Sequence, residues 1–262
     1  MNNADSARVG LVLGAGGTPG GYFIRAAMAA ISERTQWQPA MCQTMVGTSV
    51  GALNAARINP HPIPTPADVV SAIGDLASTL PIPAVTLADR LIQPGREIIG
   101  RAVGRLVPAG KNHPTYAVAE PPFHPGVRVI SCRRSDGTRR ITHIARAADH
   151  KAELYASAAI PGWAPPVLLD GVEHVDGAVW STTNADLISP ETHDALIVVA
   201  PMVPGSGGSL IQRGHRASLL TELQPWQDAE KPVVFVVPSP RGLAQRKDHD
   251  AFGSDARTQI LP

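Results

Sequence analysis

The sequence predicts an α/β protein with a largely parallel sheet and helices on its faces. Three observations carry that prediction. Strand-like and helix-like segments alternate from the start of the chain. Two glycine-rich turns each join a strand to the helix after it. Two late apolar runs, Ala195-Leu196-Ile197-Val198-Val199-Ala200 and Pro232-Val233-Val234-Phe235-Val236-Val237, are continuous, as in strands buried on both faces.

Val9-Gly10-Leu11-Val12-Leu13 reads as a buried strand ending in Gly14-Ala15-Gly16-Gly17. Thr18 is a good N-cap, and Pro19 suits the first helical position, where a missing N–H costs nothing. A helix is therefore predicted over 19–32. Met41-Cys42-Gln43-Thr44-Met45-Val46 is the next strand, with a helix predicted over 50–57. From 59 to 125 the character changes to a Pro-rich, cap-like insertion with helical patches at 67–80 and 96–107. In the second patch Ile98, Ile99, Ala102, Val103, Leu106 and Val107 share one face, with Arg101 and Arg105 off it. The favoured reading packs that apolar face on the sheet and leaves the arginines in water. The sharper one has it meet an anionic membrane surface.

Strands follow at 127–132 and 139–143, joined by a turn at Asp136-Gly137, and then a helix at 147–158. Val167-Leu168-Leu169 and Val172-Glu173-His174-Val175 flank a second Asp-Gly turn. Gly205-Ser206-Gly207-Gly208-Ser209 is a flexible loop before a helix at 212–223, and the polar tail after Arg241 is expected to fray.

Size and composition narrow the function. A chain of 262 residues fits one large domain, 1–262, with ample core. With 23 basic and 22 acidic residues and only 4% aromatics, neither general attraction to nucleic acid nor a base-stacking surface is implied. Cys42 and Cys132 lie in apolar strand-like runs and are expected to be buried and reduced. The opening residues lack a leader pattern and no apolar run is long enough to span a bilayer, so a cytoplasmic protein is expected.

The most informative stretch is Gly47-Thr48-Ser49-Val50-Gly51, a Gly-x-Ser-x-Gly pattern between a strand and a helix. Gly47 and Gly51 suit a turn with no room for side chains, and Ser49 would stand at its tip with its hydroxyl exposed. A serine hydroxyl is a weak nucleophile until a base takes its proton. Two histidines downstream, His215 and His249, lie in very polar stretches without a strand to aim them and read as surface residues. Three Asp-Gly pairs remain. Asp136-Gly137 and Asp170-Gly171 look like hairpin tips between strands, whereas Asp176-Gly177-Ala178 ends a strand and runs into Ser181-Thr182-Thr183-Asn184. Asp176 is the base that this pattern selects, with Gly177 permitting close approach.

An oxyanion hole needs backbone N–H groups aimed at the developing charge. Gly16 and Gly17 before a helix, with Val50 after the serine, would supply them. A dinucleotide-binding turn is the rival interpretation of the glycine loop, and an oxidoreductase would follow from it. The spacing to Gly20 is one residue too long, however, and the 41–46 strand ends without the acid that holds a ribose.

Gly47-Thr48-Ser49-Val50-Gly51-Ala52-Leu53-Asn54-Ala55, Ala156-Ser157-Ala158-Ala159-Ile160-Pro161-Gly162, Pro165-Pro166 and Asp176-Gly177-Ala178 together resemble the patatin-like phospholipase family. Its members are acyl hydrolases with a Ser-Asp dyad and no histidine. The resemblance covers roughly 9–184. It implies a three-layer α/β/α fold with a largely parallel central sheet, and hydrolysis of carboxylic esters of lipids. Ser49 would be the nucleophile, Asp176 the base, and Gly16 and Gly17 part of the oxyanion loop, with no cofactor and no metal. The substrate would be an acyl lipid or another ester. The 156–162 segment shows no chemistry of its own and looks like packing. The loop departs from the family pattern in having Ala15 for its first glycine and Pro19 where a basic residue is usual. The loss of that cation keeps a second function class open, a lipid-binding scaffold of the same fold with little or no turnover.

Overall fold

The structure, a computed structural model, describes residues 6–80, 82–83, 98, 100, 102–112, 117–205 and 208–239. In chain order the main elements are β1 (Val9–Leu13), α1 (Gly17–Thr35), β2 (Cys42–Thr48), α2 (Val50–Ala55) and α3 (Ala67–Thr79). They continue with β3 (Val127–Arg133), β4 (Arg139–His143), α4 (His150–Ser157), β5 (Val167–Leu169) and β6 (Val172–Asp176). β7 (Ala195–Val199), α5 (Leu210–Asp228) and β8 (Val233–Val236) complete the set. The strands form one sheet in the order β5-β6-β3-β2-β1-β7-β8, with β4 also on β3. From β3 through β2, β1 and β7 to β8 the pairing is parallel, while β4, β5 and β6 pair antiparallel.

Alternation along the central strands explains why their sequences are apolar throughout. Leu11 and Leu13 of β1 and Ile197 of β7 face one core, with Ile24 of α1, Leu53 of α2 and Ile73 of α3. Val12, Leu196 and Val198 face the other, against Leu219, Leu223 and Trp226 of α5. Helices cover both faces, which makes the mostly parallel sheet the middle of three layers. No helix among the described residues is long and apolar enough to cross a membrane. Cys42 and Cys132 are buried free thiols, both pushed up to about 12 by burial.

Two expectations change. Helix α1 starts at Gly17 behind Gly16, so Thr18 is not its cap, and Pro19 falls third in the helix. The cost stays small because N–H groups in a first turn have no intrahelical acceptor. A Cβ on Gly16 would lie 2.8 Å from both Gly20 Cα and Pro201 Cβ, so close packing under Pro201 fixes this start.

The second change concerns the helix expected at 96–107, described as helical at 98, 100 and 102–106; residues 96, 97, 99 and 101 lie outside the described residues. Its glycine side packs inward: a Cβ on Gly100 would meet Val179 O at 2.2 Å, and one on Gly104 would touch Val179 Cγ1 at 3.1 Å. Ile98 and Leu106 are 69% and 74% exposed. The apolar face expected on the sheet therefore faces outward, because glycines allow a closer approach than large side chains do. The tail after Arg241 lies outside the described residues.

Register places the strand ends that matter. Along one edge of β3, β4 pairs from Arg128↔His143 to Cys132↔Arg139. A strand has only two edges, so β2 and β6 must share the other. β2 occupies it from Met45↔Val127 to Thr48↔Ile130, and β6 continues it from Ser131↔Asp176 to Arg133↔His174. β2 and β6 thus run toward each other and meet end to end at Thr48 and Asp176.

Packing in the parallel half should dominate stability. Leu11→Ala, in a fully buried central strand, is expected to cost about 2–5 kcal/mol. Ile141→Ala on exposed β4 should stay within about 0.5 kcal/mol. Urea unfolding midpoints of the two variants would test the contrast.

Candidate active site

The turn after β2 exists because two positions carry no side chain. A Cβ on Gly47 would lie 2.5 Å from Ala52 Cα, and one on Gly51 would lie 1.9 Å from Leu13 O. The second contact presses the Ser49 turn against the end of β1, where the glycine loop begins. Between the glycines, Ser49 adopts φ 58 and ψ −125. A non-glycine residue there is strained by roughly 1–3 kcal/mol, so its surroundings must hold it. They do: the Ser49 N–H donates to Ser157 Oγ at 3.0 Å. The hydroxyl is not exposed as expected. Ser49 is only 3% accessible.

Asp176 is the last residue of β6 and is 2% accessible. Its N–H donates to Ala159 O at 2.9 Å, and its Oδ1 accepts the Ala178 N–H at 2.8 Å. Burial raises its carboxyl to about 7, against the smaller opposing effects of the Ala178 N–H and of a hydrogen bond with the Ser49 side chain. Gly177 is required next, since a Cβ there would sit 2.5 Å from Ile130 O.

The other two Asp-Gly pairs are turns. Asp136 pairs with Arg133 at 3.1 Å and accepts the Thr138 N–H at 2.8 Å, both exposed. Asp170 and Gly171, with φ of 52 and 76, form the two-residue link from β5 to β6, and exposed Asp170 pairs with Arg140 at 2.9 Å. Positive φ at both positions is the hairpin signature.

The glycine loop hangs from its neighbours by two bonds: Gly14 N–H to Val199 O at 2.9 Å and Ala15 N–H to Thr182 O at 2.8 Å. Gly17, at φ 60, begins the 19-residue α1, so its N–H has no intrahelical acceptor. Val50 begins α2 in the same way, directly after Ser49. β1 and β2 are parallel neighbours with Leu13 opposite Gly47, so both turns leave the sheet at the same end of its strands.

His215 lies half-buried on α5, and not on the open surface expected of it. His249 lies outside the described residues. Burial, the Ala178 N–H and Ser49 account for the Asp176 shift, with no histidine among its causes. Among the described residues no group of three or more His, Cys, Asp or Glu is placed to hold a metal ion.

Residues 156–162, expected to serve packing alone, also bond to the site. Ser157 Oγ holds the Ser49 N–H, and Ala159 O holds the Asp176 N–H. One short segment thus bonds to both residues from beneath the strand junction. Its only sequence signal was a serine among alanines, which says nothing about its partner.

The family model for patatin-like phospholipases matches residues 11–188, more than half of the chain. No curated protein matches it.

Burial at Asp176 makes a pH-dependent stability prediction. The unfolded carboxyl ionises near 3.9, and the folded one near 7. The fold therefore binds the extra proton, and its stability should fall as pH rises through that window, levelling off above 7. Asp176→Asn keeps an acceptor for the Ala178 N–H. It should raise the Tm over wild type at pH 8 and change it little at pH 4. An equal gain at both pH values would contradict a carboxyl kept neutral by burial.

Proposed function

We propose that this chain, which belongs to the patatin-like phospholipase family, hydrolyses carboxylic esters of acyl lipids through a Ser49–Asp176 dyad. Family membership supports lipid acyl hydrolysis in general. The observation that carries the dyad is a buried serine on a strained backbone whose side chain stabilises the charge of buried Asp176, a carboxyl raised to about 7.

Asp176 takes the Ser49 proton as Oγ attacks the acyl carbonyl. A carboxylate with its pKa raised toward 7 is a far better base than an ordinary one. The tetrahedral oxyanion would be met by the N–H groups of Gly16, Gly17 and Val50 at the starts of α1 and α2. Collapse returns the proton from Asp176 to the departing alcohol and leaves an acyl-Ser49 ester. Water, deprotonated by Asp176, then attacks this ester; collapse of the second tetrahedral intermediate returns that proton from Asp176 to Ser49 Oγ and releases the fatty acid. Each step uses one carboxyl as base and then as acid, and none calls on a metal or nucleotide.

Within the 59–125 region, the stretch around 98–112 forms a cap beside the site in this proposal. Gly100 abuts Val179, three residues past Asp176, and Gly110 and Asn112 donate N–H bonds to Ala164 O and Trp163 O. Its outward face presents Ile98 and Leu106, with exposed Arg105 beside them. Apolar side chains with a cation suit peripheral contact with an anionic lipid surface.

Labelling with a serine-reactive fluorophosphonate separates enzyme from scaffold. Wild type should label and Ser49→Ala should not; folded wild type that stays unlabelled would favour the scaffold. The kcat/KM for a soluble ester should rise with pH through about 7 and then plateau, since the base must be ionised. A profile that follows His215→Ala and ignores Asp176→Asn would defeat the dyad. For the cap, Leu106→Glu should weaken sedimentation with phosphatidylglycerol vesicles while leaving soluble-ester turnover unchanged.

A further inference from the structure

A half-buried carboxyl on α5 gathers the chain that follows Asp176. Glu222 lies on α5, and no step of the proposed reaction uses it. Its oxygens accept hydrogen bonds from the Ser181 hydroxyl, the Thr183 hydroxyl at 2.7 Å, the Ala185 N–H at 2.8 Å and the Ser218 hydroxyl at 3.3 Å. The Ser181 oxygen accepts in turn from the N–H groups of Thr183, at 3.2 Å, and Asn184, at 3.0 Å. Burial pushes the Glu222 carboxyl up, and the charge of nearby Asp186 adds to that. An apolar contact would stabilise this position with less desolvation. What a carboxyl does better is to collect several donors at fixed distances and angles.

The segment so fixed begins a few residues after Asp176 and touches both turns of the site. Thr182 O, between two of the anchored residues, accepts the Ala15 N–H of the glycine loop at 2.8 Å. The Asn184 Nδ2 donates to Thr48 Oγ1 at 3.0 Å, on the residue before Ser49. Asn184 itself is held at φ 56, a left-handed conformation, by its bond to Ser181 O at 2.7 Å. Thr48, just before Ser49, and Ala15 of the glycine loop belong to different strand ends, and 182–184 bonds to both. We propose that Glu222 is a positioning residue: by fixing 181–185 it sets the glycine loop against the Ser49 turn. It rests on the Ser49–Asp176 reading above and touches no reacting atom.

A displacement of about 1 Å at a reacting centre can cost about a hundredfold in rate. Glu222→Ala frees the segment, whereas Glu222→Gln keeps one oxygen for the Ala185 N–H and an amide that can donate to a hydroxyl. Active sites would be counted by fluorophosphonate labelling, and kcat and KM measured per labelled site on a soluble ester, with thermal melts alongside. Glu222→Ala should lose about 10- to 100-fold in kcat per labelled site, with KM nearly unchanged, and Glu222→Gln should recover most of it.

Should Glu222→Ala fail to fold, Asn184→Gly carries the test. It removes the bond to Thr48, tolerates the left-handed backbone and should likewise lower kcat at constant KM. A lower Tm with wild-type kcat per labelled site in these variants overturns the positioning role and leaves the dyad standing. Wild type that neither labels nor turns over overturns both.

Discussion

Everything at the candidate site depends on one topological constraint: β2 and β6 share a single edge of β3. With β4 on the opposite edge, β6 can pair only beyond the point where β2 stops. Two strands running toward each other along one template must end face to face. A serine one residue past the end of β2 and an aspartate at the end of β6 are thereby brought together from positions far apart in sequence. Backbone pairing sets this meeting, and the side chains inherit it. The 156–162 segment braces the junction from below, accepting one N–H from each side.

The same junction explains how an aspartate can be proposed as the base where many serine hydrolases use histidine. In water a carboxyl ionises near 3.9 and holds a proton too weakly for the task. Enclosed between strand ends, with one N–H and one hydroxyl to stabilise its charge, Asp176 titrates close to neutrality. Desolvation therefore tunes the group, and folding free energy supplies the tuning. Glu222 is a half-buried carboxyl on α5 satisfied by four donors, three hydroxyls and one N–H. One carboxyl is kept short of partners and the other is saturated with them, which suits reaction at the first and rigidity at the second.

Much of this is legible in the sequence. The strands at 9–13, 139–143 and 167–169 have the predicted bounds, because a glycine or an Asp-Gly turn close by leaves little freedom in where a strand ends. Asp176 stood apart from Asp136 and Asp170 in sequence because no strand returns after it. The hairpin backbone at Asp170-Gly171 shows the local rule behind that distinction. The inward face of the helix expected at 96–107 differs from its sequence pattern for an equally physical reason. Periodicity reports which residues share a face, and large apolar residues ordinarily claim the core. Here Gly100 and Gly104 approach Val179 more closely than any larger side chain could, so they took the inner side.

By itself the sequence determined the parts: a tight turn at Gly47 and Gly51, a strand-ending Asp-Gly, a glycine loop before a helix, and continuous apolar strands. These follow from local sterics and from hydrophobic patterning over a few residues, both of which can be read in one dimension. Only the tertiary structure decided that Ser49 is buried, that Ser157 and Ala159 bond to the two sides of the junction, and that Glu222 reaches the segment beside it. Each of these rests on contacts across long separations in the chain. Such contacts depend on strand order and register, for which a lone serine, alanine or glutamate carries no local signal.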